Sequence, residues 1–467
     1  MFHPLVLLLV VIKYTSAFED SNPVVSMSSG EVQGILGRTV NRYVEYYSFK
    51  GIPFAEKPIG KLRFEPPVKN LPWEGVLDAS QDKDECTQFN SEGTAIVGSE
   101  DCLYLSVYTT NNPTGSNNKL LPVMIYISGG YFQRGSSKYE DYPPDYFLEK
   151  GVIYVGMNYR LGIFGFLCTE DMVVPGNVGL KDQILAIQWV RENIKYFGGD
   201  PDRITVFGQS AGAVSVSYLL QSRLTKGFFK QAIMQSGTSL CVWALNSSPR
   251  EQAFKVGQLL QINATDTKTL VDNLRKVDYM ALKTAEFQIT NRETVEHFIR
   301  GLPFGVAHEP DYPGAVFSIR SKSHLQLTKK EFPKIPILLG FTSNEAALYT
   351  DQIQFFNSTL ASYDANVSKI APTGIVKDST KRELAGRKIK NHYFGNETIV
   401  SQPTKFIEFF TIDGFKRPIR ESARLFKAVK NSRIFFYQFG YIGNLGTSNR
   451  NYKGEIVISK LDNQNYY

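Results

Sequence analysis

The chain is poor in cysteine and histidine: its 467 residues include four cysteines and five histidines. Four cysteines are too few for a small disulfide-stapled fold, although they fit an oxidising compartment. Cys86 and Cys102 enclose a short polar loop, and we expect them to form a disulfide. We expect Cys168 and Cys241 to be unpaired and buried.

Long hydrophobic runs are also missing after the N-terminus, so we expect no membrane anchor in this chain. The N-terminus itself has an uncharged apolar stretch, Leu5 to Ile12, followed by Thr15-Ser16-Ala17. This pattern is typical of a signal peptide, residues 1–17, with cleavage after Ala17. Five acceptor sequons for N-glycosylation follow, at Asn246, Asn263, Asn357, Asn366 and Asn396. We therefore expect a glycoprotein that is secreted or lies in the lumen of the secretory pathway.

The net charge of +7 is spread along the chain, and no basic cluster is interleaved with aromatic residues. We therefore expect no nucleic-acid partner. Hydrophobic residues make up 42% of the chain, enough for a large core. Apolar strand-like runs alternate with helical patterns, which predicts an α/β fold with a mostly parallel central sheet and helices on both faces. The polar helical stretch 249–330 is interpreted as a cap, and residues 18–467 as a single domain.

The segment Gly208-Gln209-Ser210-Ala211-Gly212 lies between a β-branched strand and a helical pattern. A serine in a G-x-S-x-G turn of this kind sits on a sharp, strained strand-to-helix turn and projects its hydroxyl from the backbone. Serine is a weak nucleophile that needs an adjacent base. Ser210 is therefore the candidate nucleophile, since a chance pentapeptide would not carry both flanking elements.

A glycine-rich loop, Ser128 to Phe132, follows the apolar strand that ends at Ile127. Where a serine nucleophile sits on a turn of this kind, the oxyanion hole combines the backbone N–H of the next residue with N–H groups of a glycine-rich loop. The candidate donors are the backbone N–H groups of Gly130, Tyr131 and Ala211.

Ordered sequence blocks from about Val24 to Phe439 resemble the type-B carboxylesterase family, which includes cholinesterases, juvenile-hormone esterases and neuroligins. The blocks are Phe49 to Ala55, Leu62 to Phe64, Glu100 to Leu105, Asn158 to Gly162, Gly179 to Gln183 and Phe197 to Pro201. The resemblance implies an α/β-hydrolase fold and a secreted serine carboxylic ester hydrolase that works through an acyl-enzyme. It also implies that Glu345, in the segment Gly340 to Glu345, is the acid of the triad.

The family places its triad histidine after the strand that corresponds to Ile434–Phe439, but residues 440–467 contain no histidine and no longer resemble the family. Of the five histidines, His392 alone follows Glu345, and we interpret it as a surface or packing residue. Removing the triad histidine of a serine hydrolase costs on the order of 10⁶ in turnover, so we expect the chain as written to be a nearly inactive esterase. Two explanations stay open: an incomplete or divergent chain of an active esterase, or a non-catalytic, cholinesterase-like binding or adhesion protein.

The loop between Cys86 and Cys102 contains no tryptophan, whereas cholinesterases hold a quaternary ammonium against a tryptophan there. Gln209 replaces the acidic residue that precedes the nucleophile in cholinesterases. The expected substrate is therefore a small neutral or apolar carboxylic ester. We expect no cofactor and no metal, and the oligomeric state does not follow from the sequence.

Overall fold

A mixed sheet of nine strands, in the order β14-β13-β12-β11-β9-β10-β8-β4-β3, forms the centre of the protein. The computed structural model describes residues 22–113, 119–292, 299, 301–316, 333–372, 376, 378–429 and 433–441. The expected signal peptide lies outside these residues. The strands are β1 Val24–Met27, β2 Gly30–Gln33, β3 Ile35–Arg38, β4 Glu45–Pro53, β5 Val76–Asp78, β6 Gln88–Phe89, β7 Ile96–Val97, β8 Tyr104–Thr109, β9 Leu121–Ile127, β10 Ile153–Met157, β11 Gly199–Gln209, β12 Gln231–Gln235, β13 Ile337–Thr342 and β14 Ile434–Phe439.

The sheet is parallel from β10 through β9, β11, β12 and β13 to β14, and antiparallel among β3, β4, β8 and β10. A strand buried on both faces has a continuous apolar sequence, and all five residues of β10 are buried. The expected mostly parallel α/β sheet is therefore confirmed.

Helices cover this sheet and form the cap that follows β12. The α-helices are α1 Asp145–Leu148, α2 Gly162–Phe166, α3 Val178–Asn193, α4 Ala211–Gln221, α5 Pro249–Leu259, α6 Thr267–Leu274, α7 Tyr279–Arg292, α8 Asn357–Ala365, α9 Ser379–Tyr393, α10 Pro403–Phe409 and α11 Arg417–Lys427. A 3₁₀-helix spans Glu345–Phe356 and a π-helix spans Phe410–Lys416. Among the described helices, none is both long and apolar enough to cross a membrane.

Two kinds of helix follow one another directly around Gly414. Residues Phe410–Lys416 are π-helical, and the α-helix begins only at Arg417. The indole Nε1 of Trp243 donates a 3.0 Å hydrogen bond to the carbonyl oxygen of Gly414. A donor from another segment that enters the helical ladder is a known cause of such irregularities.

The cysteines pair as expected. Cys86 and Cys102 form a disulfide with an S–S distance of 2.02 Å. Cys168 and Cys241 are free and buried, and burial raises the pKa of each thiol to about 12. Both thiols are therefore protonated and unreactive near neutral pH.

Candidate active site

Ser210 occupies the turn between β11, which ends at Gln209, and α4, which begins at Ala211. Its backbone angles are φ 55° and ψ −121°. A residue other than glycine held at positive φ costs of order 1–3 kcal/mol and persists only where its surroundings enforce it. Here the Ser210 N–H donates to the Gln235 carbonyl oxygen at 2.8 Å, which fixes the turn to β12.

Two glycines that flank Ser210 allow the turn to pack against β9. A Cβ on Gly212 would lie 2.0 Å from the Ile127 carbonyl oxygen, and one on Gly208 would lie 2.5 Å from the Gly212 carbonyl carbon. Side-chain atoms do not approach backbone this closely, so both positions require glycine in this conformation. The spacing of the glycines in the sequence is thus explained by the narrow space beside β9.

The glycine-rich loop lies directly against this turn. A Cβ on Gly129 would be 3.2 Å from the Cβ of Ser210 and 2.5 Å from the Gln209 carbonyl oxygen. Gly130, Tyr131 and Phe132 follow with φ values of 104°, 60° and 60°. This run of positive φ turns the loop sharply next to the serine. The structure therefore brings together the segments of the three expected oxyanion donors.

Glu345 is buried at the start of the 3₁₀-helix that follows β13. Its Oε1 accepts hydrogen bonds from Ser236 Oγ at 2.7 Å and from the Thr342 N–H at 2.6 Å. Burial raises the pKa of Glu345, whereas these hydrogen bonds and the nearby Lys416 ammonium lower it. The residue after Ser236, Gly237, packs against the serine turn, since a Cβ at Gly237 would lie 2.4 Å from the Ser210 carbonyl oxygen. Ser236 and Gly237 therefore connect Glu345 to the serine turn by direct contacts.

His392 lies near the end of α9 and is exposed. Its ring packs edge-on against Tyr393, with 4.7 Å between the ring centroids. This is the surface or packing environment that the sequence predicts for His392. His3, His297 and His324 lie outside the described residues.

A cavity of about 550 Å³ opens beside the glycine-rich loop. Gly130 and Tyr131 line one side, and Leu348 and Tyr349, which follow Glu345 on the 3₁₀-helix, line another. The hydroxyl groups of Tyr131 and Tyr349 contact each other. The cavity thus adjoins Gly130 and Tyr131, two of the three candidate oxyanion donors, and the segment that follows the candidate acid.

Helix α7 adds a buried ion pair to the cavity wall, which sequence reasoning missed. Lys283 Nζ lies 2.9 Å and 3.0 Å from the two carboxylate oxygens of Glu286, and both side chains are almost fully buried. Glu286 also accepts the Ile163 N–H at 3.0 Å. A Lys and a Glu three residues apart are common on exposed helix faces, so no sequence signal marks this pair.

The sequons differ in accessibility. Asn263, Asn357, Asn366 and Asn396 are exposed. Asn246 is buried, its Nδ2 donates to the Pro303 carbonyl oxygen, and its Oδ1 accepts the Ser248 N–H. The Asn246 amide is thus engaged inside the fold, and its glycosylation, like that of the other four sequons, stays a prediction.

A parallel sheet with a strained serine between a strand and a helix, and a glycine-rich loop against that serine, defines the α/β-hydrolase class. Residues 21–460 match the carboxylesterase family, and the chain belongs to that family. It is 36% identical to a juvenile hormone esterase of Tribolium castaneum over 93% of this chain and 76% of that protein. It is 34% identical to venom carboxylesterase-6 of Apis mellifera over 90% of this chain and 75% of that protein.

Solved structures agree with this assignment. The crystal structure of juvenile hormone esterase from Manduca sexta, with OTFP covalently attached, superposes with a TM-score of 0.80 at 28% identity. The superposition covers 91% of this chain and 79% of that chain. A PNB esterase superposes with a TM-score of 0.70 at 29% identity. This superposition covers 90% of this chain and 81% of the PNB esterase chain. The family assignment makes the chain a carboxylic ester hydrolase by descent.

Proposed function

We propose that Ser210 is the nucleophile of a serine esterase that hydrolyses carboxylic esters through an acyl-enzyme. The observation that carries this proposal is the strained Ser210 backbone, with φ 55° and ψ −121°, between β11 and α4. A protein that only binds a partner has no chemical need for a serine in that conformation. The serine hydroxyl would give its proton to a base as its oxygen attacks the ester carbonyl carbon. The ester C–O bond would then break, the proton would pass to the leaving alcohol, and water would hydrolyse the acyl-serine that remains.

The remaining roles follow from the surroundings of Ser210. The N–H groups of Gly130, Tyr131 and Ala211 would stabilise the oxyanion of the tetrahedral intermediate. Glu345 would orient the histidine of a triad and stabilise its charged form. The exposed His392 is the one histidine that follows Glu345 in this sequence, so we assign no residue to that base. The support for Glu345 is its burial near the serine turn, where Ser236 and Thr342 hold the carboxylate in one orientation.

The substrate we propose is a small neutral or apolar ester. The two buried charges of the cavity wall, on Lys283 and Glu286, are paired with each other. Phe89 and Phe287, whose ring centroids are 4.2 Å apart, add an apolar surface. The exposed Glu92 and Arg134, which also line the cavity, carry opposite charges, so the lining residues as a set do not favour a substrate of either sign.

We also propose that the protein is secreted and carries N-glycans. The disulfide between Cys86 and Cys102 supports an oxidising compartment. The expected glycan sites are the exposed asparagines Asn263, Asn357, Asn366 and Asn396.

Labelling with a fluorophosphonate tests the nucleophile. Because the exposed His392 is the one histidine of this sequence after Glu345, we expect labelling to be slow. On long incubation the purified protein should incorporate at most one label per chain, and peptide mapping should locate it on Ser210. The variant S210A should incorporate none, and S217A, which removes a buried hydroxyl from α4, serves as the matched control and should still be labelled. A folded protein in which Ser210 stays unlabelled would contradict the proposal and support a non-catalytic binding protein.

A further inference from the structure

The π-helix Phe410–Lys416 lies behind the turn that carries Glu345. The Trp243 indole holds the Gly414 carbonyl oxygen, and Gly414 itself is buried. A single π-helical turn inside an α-helical segment is frequent at functional sites. The segment follows α10 directly and continues into α11, so its position is fixed at both ends.

Two hydrogen bonds from this π-helix flank Glu345. The hydroxyl of Thr411 accepts the Ala346 N–H at 3.0 Å. The Lys416 ammonium donates to the Ser343 carbonyl oxygen at 2.7 Å. The backbone is therefore held on each side of Glu345, immediately after it and two residues before it.

Lys416 also places a positive charge near the Glu345 carboxylate. Its Nζ lies 5.7 Å from the centroid of the Phe341 ring. Desolvation and then the charge of Arg420 lower the pKa of Lys416, whereas Glu345 raises it. The ammonium is partly buried, and a charge interaction in that environment is stronger than in water.

The other titratable groups that face Glu345 are Cys241 and Tyr437. Burial raises the pKa of Cys241 to about 12 and also raises the pKa of Tyr437. Both are therefore neutral near pH 7, and neither supplies a charge. The Lys416 charge lowers the pKa of Glu345, after the larger effects of burial, which raises it, and of the hydrogen bonds from Ser236 and Thr342, which lower it.

We propose that Lys416 is a positioning residue for Glu345: its ammonium anchors the turn that precedes Glu345, and its charge attracts the carboxylate. Thr411 anchors the other side, because its hydroxyl accepts the N–H of Ala346, the residue after Glu345. This inference rests on the proposed role of Glu345 as the acid of the triad. An ionised carboxylate in a fixed orientation is what such an acid needs to orient and stabilise an imidazolium.

The test is the pKa of Glu345, measured by ¹³C-edited infrared titration of protein labelled at glutamate carboxyl groups. The variant E345Q identifies the signal. In K416M the pKa of Glu345 should rise, because an opposite charge that favoured the ionised form is lost. K416R should keep the wild-type value, and K427M, which removes an exposed lysine from α11, is the matched control and should also keep it.

A second measurement covers the anchoring role. Hydrogen exchange of the Ala346 amide should become faster in T411V, which removes the acceptor, and should stay slow in T411S, which keeps it. An unchanged Glu345 pKa in folded K416M would overturn the electrostatic part, and unchanged Ala346 exchange in T411V would overturn the anchoring part.

These readouts need no turnover, so they separate this inference from the proposed function. A protein that labels at Ser210 without a pKa shift in K416M is an esterase that does not use Lys416. A protein that shows the shift but never labels at Ser210 has the charge arrangement without the esterase chemistry.

Discussion

Two residues of the candidate active site, Ser210 and Glu345, are held in energetically unfavourable states. Ser210 is held at a strained φ, and Glu345 is a carboxyl group buried at 8% exposure. Burial of a carboxylate disfavours its charged form, and the hydrogen bonds from Ser236 and Thr342 offset only part of this effect, since the pKa of Glu345 remains raised. The site is therefore expected to reduce the stability of the folded protein near neutral pH.

The variant E345Q tests this expectation. The raised folded-state pKa lies above the unfolded value of about 4.3, so the folded state binds more protons than the unfolded state between these two values. The stabilising contribution of this group is present below the unfolded pKa and is lost as pH rises through the folded pKa. Glutamine can accept the same two hydrogen bonds without a charge. E345Q should therefore have a higher free energy of unfolding than wild type at pH 7, and the difference should shrink towards pH 4.

Urea unfolding at a series of pH values measures this difference. E397Q, which makes the same change at an exposed glutamate, is the control and should follow wild type. A loss of stability in E345Q that is equal at pH 4 and pH 7 would contradict the expectation.

Local sequence predicted the strand, turn and helix around Ser210, because the requirements of that turn are themselves local, while the role of Ser210 as nucleophile stays a prediction. Gly208 and Gly212 are needed by contacts within the turn and with the adjacent strand, and the strand and helix on either side have clear patterns. Glu345 was predicted by family resemblance only. Nothing in its immediate neighbours shows that Ser236, 109 residues earlier, is its hydrogen-bond donor.

At the scale of the elements, the least predictable features are contacts between distant segments. The π-helix depends on Trp243, which is 171 residues from Gly414. The contact of Tyr131 with Tyr349 joins residues 218 positions apart. Periodicity and capping patterns report on neighbours in the chain, so they predict helices and strands but not these contacts.

The buried ion pair of α7 joins this cap helix to α2. Because Glu286 accepts hydrogen bonds from Lys283 and from the Ile163 N–H, replacing Lys283 by methionine leaves a buried carboxylate without its cation. Breaking a buried pair from one side costs about 3–5 kcal/mol. We expect K283M to lose stability in this range, and K283M/E286Q, which removes both charges and keeps an acceptor for Ile163, to recover most of it.

Denaturant unfolding of the single and double variants checks this prediction. K268M breaks the exposed pair between Lys268 and Asp272, which has similar helical spacing, and should change stability little because water screens such pairs. Equal losses in K283M and K283M/E286Q would show that the packing of the lysine side chain, and not its charge, is what matters.

At the scale of the whole molecule, the two edges of the nine-stranded sheet differ. One edge is β3, a short strand, and the other is β14, which pairs with β13 alone among the described strands. β14 carries Phe435, Phe436 and Phe439, which are 55%, 44% and 55% exposed. A hydrophobic strand at a sheet edge presents unpaired backbone groups to another chain. The described surface therefore has one edge suited to association.

This edge predicts self-association that depends on concentration. Sedimentation velocity of the protein should show a rising weight-average sedimentation coefficient as its concentration increases. F435K/F439K should suppress that rise, because two lysines on an edge strand oppose pairing by charge and by desolvation cost. L71K, which changes another residue that is 72% exposed, should behave as wild type. If F435K/F439K sediments as wild type does at every concentration, β14 is not the associating surface, and the exposed phenylalanines contribute no more than ordinary surface hydrophobic residues.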